Sequence, residues 1–209
     1  RRALAAIAEG RVHEEILPVE IPQRKGAPVI FGQDVCVRET CYEALAALRP
    51  AVQKTGTATA GNASIISDGA AAVVVMAREK AKALGCPIMA HIGAQASYGI
   101  EMKYVLVAPI WAIPKCLAKQ GITAADVDLF EINEAFSGST LAVLRELNLD
   151  PERVNVNGGA VSLGHPIGAS GCRVLVTLLY EMIRQDKKTG LASLCLGGGE
   201  AVAMVVERP

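Results

Sequence analysis

Three polar residues with catalytic chemistry stand where apolar segments break. Asn133 follows the strand-like run 127–132, His165 sits inside Gly164-His165-Pro166, and Cys195 lies at the end of the run 190–196, which leads directly into Gly197-Gly198-Gly199. A neutral imidazole accepts protons. A thiolate is a strong nucleophile and a competent base once neighbouring groups lower its pKa. The bare N–H groups of a glycine turn can hold an oxyanion. The stretch Asn155–Gly171 around His165 holds five glycines and then enters an apolar helix. Glycine weakens regular structure unless the backbone needs positive φ or close approach to something. The stretch therefore reads as a histidine held stiffly between Gly164 and Pro166 and aimed at a substrate.

Each residue type also has a plainer reading. A single cysteine in an apolar segment is usually a small buried hydrophobe, which is how Cys36, Cys41, Cys86, Cys116 and Cys172 read. The three glycines after it set Cys195 apart. His91 reads as structural and His13 as a surface residue. Asn133 is also placed to cap a helix over 134–147. The spacing Gly164-x3-Gly168-x2-Gly171 fits neither the dinucleotide fingerprint nor the Walker pattern, and no Lys-Ser or Lys-Thr follows it.

The elements that must position these residues alternate. Residues 1–10 read as the end of a helix, closed by Gly10. Residues 11–65 are irregular, with Pro18, Pro22, Pro28 and Pro50 and one helix over 39–48, and read as an excursion or lid. The valine-rich run 70–77 predicts a strand buried on both faces, followed by a helix over 78–84 closed by Gly85. A strand over 87–98 precedes a helix over 109–120, and Thr123 suits an N-cap. Then come a strand 127–132, a helix 134–147, a strand-like stretch 154–163 and a helix 169–185. In that last helix Val174, Leu175, Leu178, Leu179 and Met182 share one stripe. Strands over 190–196 and 201–207 end the chain. The alternation implies an α/β layered fold with a largely covered sheet. Ligands in such sheets bind beyond the carboxyl ends of strands, so three strand ends would bring Asn133, His165 and Cys195 to one edge.

Composition narrows the function class. The chain has 209 residues, no net charge, 51% hydrophobic and 20% charged residues, enough for one large or two small cores. Neutral balance gives no reason to expect nucleic acid or an anionic membrane as partner. No apolar run reaches transmembrane length, and Glu9-Gly10-Arg11 interrupts the first apolar stretch, so neither a membrane span nor a signal peptide is expected. Six cysteines without Cys-x-x-Cys or zinc spacing point to free thiols in a reducing, cytoplasmic compartment and to no metal. The first residue is not Met and lies inside a helical pattern, which suggests a fragment or one product of a split protein.

Asn133-Glu134-Ala135-Phe136, the Asn155–Gly171 stretch with its Gly-His-Pro, and Cys195-Leu196-Gly197-Gly198-Gly199 occur in an order and spacing that resemble the thiolases. The resemblance spans the whole chain, including Thr59–Ser64 and Ser67–Ala70, and is to the C-terminal half of the acetyl-CoA acetyltransferases, the acetoacetyl-CoA thiolases. It implies a layered αβαβα fold, here only the C-terminal core plus part of the loop domain. Residues 1–65 would be the latter part of the loop domain, 66–88 the last strand and helix of the N-terminal core, and 89–209 the C-terminal core. The helix after Gly168 would be a buried one, packed closely through Gly168, Ala169 and Gly171.

The resemblance also implies the chemistry. Thiolases make or cleave the carbon–carbon bond of a 3-oxoacyl-CoA by ping-pong transfer. Cys195 would be the acid and base, His165 the group that activates the nucleophile and donates to the thioester oxygen, and Asn133 the holder of a water in that oxyanion hole. The Gly197 N–H would belong to a second hole, and Ser64, Ala60 and Phe136 to the substrate contact. CoA thioesters are substrates, and no further cofactor is implied. The nucleophilic cysteine would lie on the N-terminal half, the expected partner, so this chain alone would be inactive. A cytoplasmic homodimer or homotetramer in fatty acid metabolism is the corresponding whole. Val105-Leu106-Val107-Ala108-Pro109 replaces the Met-Gly-x-Gly-Pro of many biosynthetic thiolases near the acyl pocket. A non-catalytic thiolase-like scaffold has no need of Asn133, His165 and Cys195 together. Decarboxylating condensing enzymes typically lack the second cysteine.

Overall fold

A computed structural model describes all residues from Arg1 to Pro209. The first part of the chain makes only short elements. They are helix α1 (Arg2–Ala8), an antiparallel pair β1 (Val19–Ile21) and β2 (Val29–Phe31), helix α2 (Tyr42–Ala46) and helix α3 (Arg78–Ala83). Strand β3 (His91–Gly99) then opens the sheet that carries the site. Helix α4 (Pro109–Gln120), β4 (Leu129–Ile132), helix α5 (Ser137–Glu146), the single turn α6 (Ala160–Leu163), helix α7 (Ser170–Arg184), β5 (Thr189–Leu196) and β6 (Glu200–Glu207) complete it. The strand order is β3-β6-β5-β4. β4 and β5 run parallel, while β5–β6 and β6–β3 are antiparallel.

The two-residue period of a strand sorts the core. Phe130, Ile132, Leu191, Ala201, Ala203 and Val205 face α4, where Ala112, Ile113, Cys116 and Leu117 are buried. Leu129, Ala192, Leu194 and Val206 face the other way, onto Val174, Leu178, Leu179 and Met182 of α7. Both sheet faces are thus covered by helix, and the α/β layered reading stands. α4 begins with Pro109 in its first turn and keeps Pro114 inside. It ends at Gly121 with φ +79°, the left-handed cap that glycine adopts without a Cβ penalty. Thr123 and Asp126 form the capping box of the next turn. No helix is long and apolar enough to cross a membrane.

Four expectations need correcting. Residues 70–77 form neither strand nor helix and pair with no strand of this chain, and Val74 is 85% exposed. Composition favours a strand in such a run, but its hydrogen bonds and burial must come from neighbouring segments. The stretch 154–163 is not a strand. It makes one parallel bridge, Val154 with Phe130, then turns through Asn155 (φ +48°) and Gly158 (φ +97°) into α6. The helix expected from Glu134 starts at Ser137. Its N-cap is Phe136, without a side-chain bond, so Asn133 does not cap it. Gly168 and Gly171 pack against nothing within this chain, since a Cβ at either would meet no atom within 4 Å. In the 11–65 excursion the helix shrinks to α2, and the β1–β2 pair, too short to show alternation, had no sequence signal.

Candidate active site

β4 and β5 end side by side. Ile132 pairs with Ser193, and the Asn133 N–H donates to the Ser193 carbonyl at 2.9 Å. Asn133 therefore stands at the end of β4, and Cys195 stands two residues beyond Ser193 on the neighbouring parallel strand. His165 arrives by another route, on the loop between α6 and α7. Its Nε2 lies 3.3 Å from Asn133 Nδ2, and its backbone N–H donates to the Ile65 carbonyl at 3.0 Å. Asn133 and His165 are thus brought into direct contact. The Cys195 thiol makes no hydrogen bond to either.

The protonation pattern of His165 follows from its neighbours. Ser170 Oγ lies 2.5 Å from His165 Nδ1 and donates its single proton to the Pro166 carbonyl at 2.9 Å. Oγ must then accept from Nδ1–H, which leaves the Nε2 lone pair facing the Asn133 amide N–H. Burial first, and the Arg173 cation second, hold the imidazole below its ordinary pKa. The neutral, Nδ1-protonated form is therefore the resting one, with Nε2 as its base. Asn133 is 4% exposed, and its Oδ1 is buried and accepts no hydrogen bond from the protein.

Cys195 pairs with Ala201 near the β5–β6 turn. Burial pushes its thiol above the ordinary range, partly opposed by a backbone hydrogen bond. The turn beyond it needs glycine: Gly198 and Gly199 have φ +94° and +92°, and a Cβ on Gly199 would run into the Ile100 carbonyl. Gly199 O also accepts from the Ile100 N–H at 2.7 Å, which fixes the turn to the end of β3. The Gly197 N–H makes no backbone hydrogen bond.

The segment 59–69 lies over these groups. Asn62 closes its start, accepting from Thr59 N–H at 2.7 Å and donating to Thr57 O at 2.9 Å. Gly61 rests on the side-chain ends of Leu45 and Leu48, which a Cβ there would push aside. Ser64 N–H donates to the Ala135 carbonyl at 2.9 Å, Ala63 bridges to Phe136, and Ser137 N–H donates to Asn62 O at 2.9 Å. Ser64 and Phe136 are therefore stitched into one layer, and the exposed Ala60 lies at its outer turn. Farther along, Gly164 (φ +97°) and Pro166 press against Ser67 and Gly69.

Several supporting residues escaped the sequence. Ser170 sets the histidine tautomer, and Asn155 closes two 2.8 Å hydrogen bonds onto the backbone of Ile132. Glu134 Oε2 accepts from the Val161 N–H at 3.1 Å. Beneath His165, Arg173 lies 3.8 Å from Glu131. Burial raises the Glu131 carboxyl to about 8, and that of Glu15, near the same arginine, to about 7. The only signal for these residues was their place within the motifs or, for Glu131, beside one. Ser170 is five residues after His165, Glu134 is one after Asn133, and Glu131 is two before it. No group of His, Cys, Asp and Glu residues could hold a metal.

Two family models match the chain: thiolase, C-terminal domain, over residues 86–208, and thiolase, N-terminal domain, over residues 1–79. The chain is 54% identical over 209 residues to an acetyl-CoA acetyltransferase of Pseudomonas aeruginosa, covering 100% of this chain and 53% of that protein. Among solved structures, the acetyl-CoA acetyltransferase of Bacillus anthracis superposes with a TM-score of 0.97 at 44% identity, over 100% of this chain and 53% of that one. Human mitochondrial 3-ketoacyl-CoA thiolase superposes with a TM-score of 0.91 at 34% identity, over 99% and 52%. The chain spans about half the length of the curated relatives it matches.

Proposed function

The chain belongs to the thiolase family, and on that premise we propose that it carries the acid–base half of an acetyl-CoA acetyltransferase site, working on 2 acetyl-CoA = acetoacetyl-CoA + CoA. The observation that carries the reading is the Asn133–His165 contact with Nε2 left basic, at the strand edge where Cys195 also ends.

The steps follow from these protonation states. His165 Nε2 takes the proton of a nucleophilic cysteine, which attacks the first thioester carbonyl. That cysteine belongs to the part of a thiolase lying outside the matched half. The imidazolium then donates to the thioester oxygen, and Asn133 Oδ1, a free buried acceptor, is suited to hold a water beside it. Cys195, kept protonated by burial, gives its proton to the departing CoA thiolate. It is thereby left as the thiolate that removes an α-proton from the second acetyl-CoA. The enolate attacks the acetyl-enzyme, forms the carbon–carbon bond and expels the first cysteine. In this reading the Gly197 N–H meets the enolate oxygen, and Ser64, Ala60 and Phe136 line the path of the CoA arm. CoA thioesters are the substrates of this scheme.

The rest of a thiolase supplies the partner. The exposed apolar run 70–77 suits a strand position in the N-terminal core, and a dimer or tetramer would be the working form. Six free cysteines fit a reducing cytoplasm, where fatty acid metabolism supplies acyl-CoA. The test is Cys195→Ala in the protein that carries this chain. Acyl transfer from acetyl-CoA should persist while deuterium exchange at the acetyl methyl falls by about 10³-fold. Exchange at the wild-type rate would remove Cys195 from its role.

A further inference from the structure

The Asn133–His165 contact joins two loops that no covalent segment holds together. Asn133 leaves the end of β4, and His165 follows α6, a single turn closed by Gly164. Such a turn is not stable by itself, and its N-cap, Gly159, has no side chain to satisfy its free N–H groups. The missing cap comes from across the site. Glu134, the residue directly after Asn133, turns its carboxylate to the second residue of α6, where Oε2 accepts the Val161 N–H at 3.1 Å. The place for that carboxylate exists because residue 159 is glycine: a Cβ there would lie 2.9 Å from Glu134 Cδ and against Oε2. The far end of α6 is fixed as well. Gly164 N–H donates to Ala160 O at 2.9 Å, and His165 N–H donates to Ile65 O.

We propose that Glu134 is a positioning residue of the active site, a cap supplied in trans to α6 that sets the spacing between Asn133 and His165. The proposal rests on the thiolase reading for its kinetic consequence but on geometry alone for its effect on His165. An N–H donated by Asn133 to Nε2 stabilises the neutral imidazole. Loosening the clamp should therefore move the His165 titration up in pH. Burial also raises the Glu134 carboxyl, against the lowering by the Val161 N–H, so an uncharged acceptor should serve nearly as well.

The experiment compares Glu134→Ala, Glu134→Gln, Gly159→Ala and the Glu134→Ala/Gly159→Ala double variant in the protein that carries this chain. Nitrogen-resolved NMR of His165 and thiolase kinetics are the readouts. Glu134→Ala should shift the His165 titration to higher pH and lower kcat about 10-fold with KM within about twofold, the scale of a misaligned catalytic group. Glu134→Gln should restore both. Gly159→Ala, which displaces the carboxylate without removing it, should reproduce the loss and add nothing in the Glu134→Ala background. An unmoved His165 titration in Glu134→Ala, or a glutamine variant as impaired as the alanine one, would overturn the proposal. Absence of thiolase turnover in the wild type would instead overturn the reading of function, and the NMR comparison would still judge the clamp.

Discussion

Asn155 replaces a missing strand. β4 is the edge of its sheet, and past Phe130 no neighbour continues the ladder. The Asn155 side chain takes over, accepting from Ile132 N–H and donating to Ile132 O, each at 2.8 Å. Ile132 is 2% exposed, so Asn155→Ala strands one buried donor and one buried acceptor. Each costs about 1–3 kcal/mol, and a sheet edge that water can partly reach belongs near the lower end, about 2–3 kcal/mol for the pair. Asn155 also has φ +48°, where alanine is disfavoured by about 1 kcal/mol more. The sum is about 3–4 kcal/mol, or roughly 6–16 °C in Tm for a chain of this size. Asn155→Gly removes the hydrogen bonds without the φ penalty and should recover about 1 kcal/mol of that loss. Urea denaturation of the three proteins, followed by circular dichroism, measures all of this. An alanine variant within about 1 kcal/mol of wild type, or a glycine variant no better than alanine, would refute the argument. Since Ile132 precedes Asn133, the same variants should also broaden the His165 NMR signals.

Two further outcomes follow from the same geometry. Gly164→Ala puts a Cβ at φ +97° against Ser67 Oγ, so on the proposed reading kcat of the protein that carries this chain should fall at least about 10-fold, and a Ser67→Gly second change should recover only part of it because the φ penalty stays. Full recovery would show that φ is irrelevant there. Glu15 and Glu131 have folded pKa values raised to about 7 and about 8 from 4.5. The native state then binds protons that the unfolded chain has released, so their contribution to stability falls as pH rises from about 5 to 8. Glu131→Gln should lose the Glu131 share of that dependence and be the more stable protein at pH 8. Parallel denaturation-versus-pH curves for wild type and variant would contradict it.

Much of this was legible in residue types. The strands over 127–132 and 201–207, the stripe on α7 and the glycine ends at Gly10 and Gly85 are local signals, and each of these elements formed near its expected place. Asn133, His165 and Cys195 were marked by breaks in those patterns. What sequence could not supply was partnership. Residues 70–77 and Val154–Leu163 both looked like strands, but pairing is a property of two segments, and neither finds a ladder here. Ser170 and Glu134 carry no local signature of their function, because their partners, His165 and Val161, are reached only after the chain folds. Gly168 and Gly171 are the same case: the chain alone leaves open space beside them, and glycine spacing cannot say which segment would fill it.

The segment that holds His165 from above has a consequence for divisibility. The two family models meet between residues 79 and 86, so a biochemist seeking a minimal catalytic module would cut there. That cut would take away Ile65, whose carbonyl anchors the His165 N–H, and Ser67 and Gly69, against which Gly164 and Pro166 rest. The border that sequence comparison draws through this protein does not coincide with a border of its site. A fragment beginning at residue 86 should keep the sheet, α4 and α7 and still leave its histidine without an address.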